Sequence, residues 1–151
     1  MKKIQAMVIA STLFATTSVL AHTFDEPNKA IKYRQAAFTM IAGNVSEMGD
    51  MVKGKTEWSD VIFAKRANQL SQLTLMPLDA FYVEGSGKGK TNALPEVWKN
   101  LPDFEARLAQ FQEDAAALAS ISGKGDKAAI RKAFGKTVKN CKACHTDYKA
   151  K

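Results

Sequence analysis

Cys141-Lys142-Ala143-Cys144-His145 is the stretch of this 151-residue chain whose residue types and spacing point most directly to chemistry. On a helix, residues at i, i+3 and i+4 share a face. Two thiols and an imidazole so placed form the attachment sequence of a c-type haem. The thiols can add to the two vinyl groups on one porphyrin edge while the imidazole reaches the iron. One covalently bound haem c per chain is expected, with Cys141 and Cys144 as thioether anchors and His145 as axial iron ligand. Three other uses of these residues stay open. A structural zinc wants four ligands, and elsewhere the chain offers only His22 and no third Cys. A thioredoxin-type pair would open a helix after a strand, whereas this pair falls near the end of a helical segment. A disulfide between Cys141 and Cys144 would distort the turn that carries them.

The elements that must position this motif begin after a leader. Met1-Lys2-Lys3 is followed by an uncharged, mostly apolar run from Ile4 to Leu20, with Val19 and Ala21 as the small residues of a cleavage site. This is a secretory signal pattern, and it places cleavage after about Ala21 and the 22–151 domain in the periplasm. The run is short for a membrane span and no basic stop-transfer cluster follows, so no membrane association is expected after cleavage. Losing two Lys lowers the net charge from +7 to +5. The remaining Lys are dispersed and no recognition-helix or RNA-motif signature appears, so nucleic acid is not an expected partner.

Apolar residues recur at spacings of three and four through four segments, and no useful length alternates with period two. The first segment runs from about Glu26 to Lys53, with Ile31, Arg34, Phe38, Ile41, Val45, Met48 and Val52 on one stripe. The second runs from about Glu57 to Leu75, with Trp58, Val61, Ala64, Ala67, Leu70 and Leu73 expected inward, and Pro77 breaks it. The third covers about Leu101 to Ile121. The fourth starts at the capping Asp126 and reaches about Lys149, with Ile130, Phe134, Val138 and Cys141 inward. Short connections join the first pair and the last pair. The expected fold is all-α, an up-down-up-down antiparallel four-helix bundle. Glu84 to Thr91 ends like a phosphate loop, but its required first Gly is Glu84 and no strand precedes it, so it reads as a flexible surface loop.

Arg34 falls on an inward stripe, where an unpaired charge is expensive. Either a haem propionate neutralises it, with Gln35 as a second donor, or it snorkels out of the bundle. The sixth iron position decides the function. His22, Met40, Met48, Met51 and Met76 are the candidates for it. A Met ligand would make a plain low-spin electron carrier, and its absence in an apolar pocket would leave iron open to small neutral ligands. No nucleophile–base constellation suggests an enzyme.

Tyr33-Arg34-Gln35 with Phe38, Pro77 with Phe81, Pro95-Glu96-Val97-Trp98, Ala133-Phe134-Gly135, and the near-terminal Cys-Lys-Ala-Cys-His with Tyr148 resemble cytochrome c′ across essentially the whole mature chain. The resemblance implies that His145 is the sole protein ligand of a high-spin, five-coordinate iron. It also implies a distal face closed by the residue at position 38, often Leu in the family and Phe38 here. A distal wall of Phe38 and Phe81 would admit nitric oxide and carbon monoxide and disfavour dioxygen. Lys149 stands where the family commonly has Arg on the proximal side, and Leu78 where it often has Trp. A homodimer through the first two helices is implied as well. The competing expectation is simple electron transfer, with Lys residues around the haem edge docking an acidic redox partner.

Overall fold

The computed structural model describes residue 24 and residues 26–151; the leader, its cleavage point and His22 lie outside them. Helix α1 spans Pro27–Val52 and α2 spans Asp60–Leu73. A 3-10 turn at Leu78–Phe81 and the short α3 at Glu96–Lys99 follow. The long helices α4, Leu101–Ser122, and α5, Lys127–Tyr148, complete a four-helix bundle. Local chemistry explains the ends. Pro27 sits in the first turn of α1, where its missing N–H costs nothing. Ser59 Oγ accepts from Ile62 N at 3.3 Å to start α2, and the Asp126 carboxylate caps two backbone N–H groups of α5, each at 3.0 Å.

In α2 the inward face differs from the sequence expectation. Val61 is 80% exposed, and Phe63, fully buried, takes the core position with Ala67 and Leu70. The helix starts at Asp60 rather than near Glu57, so Trp58 lies before it. There its ring stacks on Phe63 at 4.8 Å. An aromatic ring at position 63 buries more apolar area than a valine at 61 could, and that sets the rotation of the helix.

Two apolar clusters fill the bundle. The larger joins all four long helices through residues such as Met48, Phe63, Leu70, Leu118, Ile130 and Phe134. Each such side chain contributes about 1.5–3 kcal/mol by leaving water. The smaller cluster, at the end of the bundle carrying the cysteines, is built from Phe81, Val97, Phe104 and Tyr148. Successive long helices pack closely, α1 on α2, α2 on α4 and α4 on α5, while the α1–α5 seam is sparser. That seam is closed near Gly49, whose Cα faces the Phe134 ring.

The α4–α5 register is pinned by buried Asp114. Its carboxylate takes Lys136 Nζ at 2.8 Å and Asn140 Nδ2 at 2.9 Å, and its carbonyl takes Thr137 Oγ1 at 3.1 Å. Burial alone would push this carboxyl up. The donations from Lys136, Asn140 and Gln110 outweigh it and hold the group below its usual range. Helix α5 stops at Tyr148 because the chain there turns to pair with residues 92–94. Leu94 N donates to Tyr148 O at 3.0 Å and Ala150 N to Asn92 O at 2.8 Å, giving an antiparallel bridge between Ala93 and Lys149.

Candidate haem-attachment site

Cys141, Cys144 and His145 lie on the last two turns of α5, all in helical conformation, so the i, i+3, i+4 geometry expected from their spacing is realised. Both thiols are half-buried and unbridged. Burial pushes both up from their usual value. A thioredoxin-type pair opens a helix, whereas these thiols lie in the last turns of α5 and are raised by burial, so a thioredoxin-like use does not fit. Among the described residues no group of three or more His, Cys, Asp or Glu is placed to hold a metal ion. The imidazole of His145 is exposed. Partial burial, and then the positive charge of Lys149, pull its pKa down, so it is neutral at pH 7 and able to donate a nitrogen lone pair.

The opposite wall is aromatic. Cys144 of α5 and Phe38 of α1 both border the smaller cluster. The Phe38 ring meets Phe81 edge-on at 6.4 Å, and Phe81 packs on Phe104 at 4.7 Å and Trp98 at 5.9 Å. Leu78 borders both clusters. The fold therefore brings Cys144 of the attachment turn, Phe38 and Phe81 to one cluster. None of the candidate thioethers joins them. Met48 and Met51 are spent in the larger core, and Met40 and Met76 are exposed.

Arg34 does not snorkel; it is 2% exposed. Its NH1 donates to Ala80 O at 3.3 Å and Ser86 Oγ at 3.1 Å, and its NH2 to Ser86 O at 2.6 Å and Thr91 Oγ1 at 3.0 Å. The guanidinium lies over the rings of Phe81, at 4.5 Å, and Trp98, at 5.4 Å. Gln35 Nε2 adds a bond to Lys90 O at 3.0 Å. The 84–91 segment is thus a clamped structure rather than the flexible loop its composition implies, with Ser86 fully buried. Gly87 is needed because a Cβ there would sit 3.0 Å from the Trp98 ring. Every acceptor around Arg34 is neutral, and it forms no salt bridge among the described residues. Burial lowers it to about 10, yet it stays charged at neutral pH. This buried cation has only neutral partners and lies over Phe81, a ring of the cluster that Cys144 borders; its charge suits a group that carries carboxylates at its edge.

The residues present fit a covalently attached haem: two protonated thiols and a neutral imidazole on one helix face, an apolar opposite wall, and an uncompensated buried cation. Fold and site define a helical-bundle c-type cytochrome. The family described as cytochrome c′ matches residues 29–149. The chain is 36% identical over 129 residues to cytochrome c′ of Rubrivivax gelatinosus, covering 85% of this chain and 99% of that one. The structure of cytochrome c prime from Shewanella frigidimarina is similar at TM-score 0.82 and 43% identity, covering 85% and 99% of the two chains. A nitric oxide complex of a variant of the Alcaligenes xylosoxidans protein is similar at TM-score 0.78 and 33% identity, covering 85% and 98%. This chain belongs to the cytochrome c′ family, whose members carry covalently bound haem c.

Replacing Arg34 with Met should strip donors from the Ala80 and Ser86 carbonyls and lower stability by about 2–5 kcal/mol, since each orphaned buried acceptor costs about 1–3 kcal/mol. Urea unfolding measures the loss, and limited proteolysis should show cleavage moving to the 84–91 segment.

Proposed function

We propose that this chain is an exported, periplasmic mono-haem cytochrome that binds nitric oxide and carbon monoxide at an iron whose protein ligand is His145 alone. The observation that carries this reading is the meeting of Cys144 with Phe38 and Phe81 in one apolar cluster that contains no thioether. Bound haem supplies an iron able to take up a gas molecule or an electron. The rest is done by the chain. Cys141 and Cys144 hold the group through their sulfurs, and His145 ligates it from the side that Lys149 also faces. Arg34 and Gln35 would act on the propionates through the positive charge of Arg34, because the Arg34 NH1 and NH2 donors already serve Ala80, Ser86 and Thr91 and the Gln35 amide serves Lys90 O. Phe38 and Phe81 would line the far side and offer no atom that can ligate iron. They present no hydrogen-bond donor, a condition that penalises dioxygen more than nitric oxide. The nitric oxide complex of the similar Alcaligenes xylosoxidans protein supports the same ligand class here.

The protein acts as a binder and carrier rather than an enzyme. For electron exchange, the outer face of α5 offers exposed Arg131, Lys132, Lys139 and Lys142, and the helix carries no acid from Lys127 to Thr146. Lys139 and Lys142, the members of this face nearest the attachment turn, suit an acidic redox partner. A homodimer through α1 and α2 covers a groove of about 750 Å³ between them, lined by exposed Met40 and by Asn44, Glu47 and Arg66. Asn44 Oδ1 is buried there without a hydrogen-bond partner among the described residues.

Two outcomes are expected. Phe38→Ala should speed carbon monoxide association by about tenfold or more, the change that follows from removing about 1.4 kcal/mol of steric barrier. Unchanged stopped-flow kinetics would show that Phe38 is not the wall. Met40→Glu should shift the sedimenting species from dimer to monomer without altering the absorption spectrum, and a wild-type monomer at micromolar concentration would remove the dimer.

A further inference from the structure

The C-terminal turn of α5 is gripped from behind by a cluster that the haem reading leaves unused. Arg107 of α4 donates through NH1 to the Ala143 carbonyl and to Asp147 Oδ2, both at 2.6 Å. Its Nε pairs with Asp103 Oδ2 at 2.8 Å, one turn earlier on α4. Asp103 in turn accepts the Tyr148 hydroxyl, and the Arg107 guanidinium lies 5.1 Å from the centre of the Tyr148 ring. Ala143 stands between the two cysteines, and Asp147 and Tyr148 follow His145 by two and three positions. Residues 143 and 147 share a helix face, which at 100° per residue lies almost opposite that of 145. Arg107 therefore holds the back of the turn whose front carries the imidazole.

We propose that Arg107, oriented by Asp103, is a positioning residue for the proximal ligand: it fixes the rotation and depth of the His145 turn and so the tension in the bond from His145 to iron. This rests on the haem reading above. Carbonyls in the C-terminal turns of a helix lie at the negative end of its dipole and favour a nearby cation. Arg107 supplies that cation from a neighbouring helix, where it cannot fray away with the turn it stabilises. Exposed ion pairs contribute little to global stability, and the Arg107, Asp103 and Asp147 side chains are 32%, 40% and 50% exposed. The effect of Arg107 is accordingly on geometry at the ligand more than on folding. Lys could replace the charge but not the fork that serves Ala143, Asp147 and Asp103 together.

The test compares wild-type holoprotein with Arg107→Gln, Arg107→Lys and, as a milder cut, Asp147→Asn. In the ferrous proteins, resonance Raman reads the iron–histidine stretch. Hydrogen exchange followed by mass spectrometry reads the amides of residues 143–148. Arg107→Gln should shift and broaden the Raman band. It should also raise exchange in the turn by about tenfold, the equivalent of one charge-assisted hydrogen bond. The melting temperature should hardly change. Arg107→Lys should restore part of both signals, and Asp147→Asn should move them in the same direction by less. A wild-type band left unchanged in position and width by Arg107→Gln overturns the positioning role, whatever happens to stability. A wild-type protein lacking the mass and Soret absorption of attached haem would instead overturn the haem reading, and the positioning role with it.

Discussion

Three reactive side chains on one helical turn impose a mechanical requirement. The turn lies at the C-terminal end of α5, where a helix runs out of internal hydrogen bonds and tends to fray. Sulfurs and imidazole can serve one planar group only while that turn stays wound and stays aimed. The surrounding structure supplies this restraint from separate directions. Asp114 fixes the register of α5 on α4 farther up. Arg107 holds the turn from behind. The 92–94 segment pairs with the chain as it leaves the helix, and Tyr148 plugs the floor of the smaller aromatic cluster.

The bundle divides its interior accordingly. The larger cluster, with Phe63, Leu70, Leu118 and Ile130 at its heart, resembles an ordinary bundle core and supplies most of the apolar burial. The smaller one is richer in rings than in aliphatic chains, and it is bounded on one side by Cys144 and on another by Phe38. Arg34 belongs to this second region. Its charge is enclosed by rings and neutral acceptors, an arrangement that ties the 80–91 segment to α1. The guanidinium keeps its charge however many neutral acceptors it satisfies.

The attachment motif and the four long helices were legible because each is written in local spacing: three and four residues along a stripe, two intervening residues between cysteines. Where the energetics are local but two registers compete, the pattern misleads. In α2, Val61 and Phe63 each sit on a plausible stripe, and the choice falls to whichever ring finds neighbours across the bundle, here Trp58 and Phe134. Features built from distant residues were beyond reach. Ser86 and Thr91 look like loop residues until Arg34, 52 and 57 positions away, is seen to bind them. Asp103 and Arg107 look like an ordinary i, i+4 surface pair. Their role emerges only when α5 delivers Ala143 and Asp147 from 36 and 40 positions away.

The central claim is that iron in this protein has one protein ligand, His145, and an apolar far side. The optical and electron paramagnetic resonance spectra of the ferric protein test it most directly. High-spin signals near neutral pH, converting on reduction to a species that takes up nitric oxide, are the predicted result. A low-spin ferric spectrum with the near-infrared band of methionine ligation would contradict it.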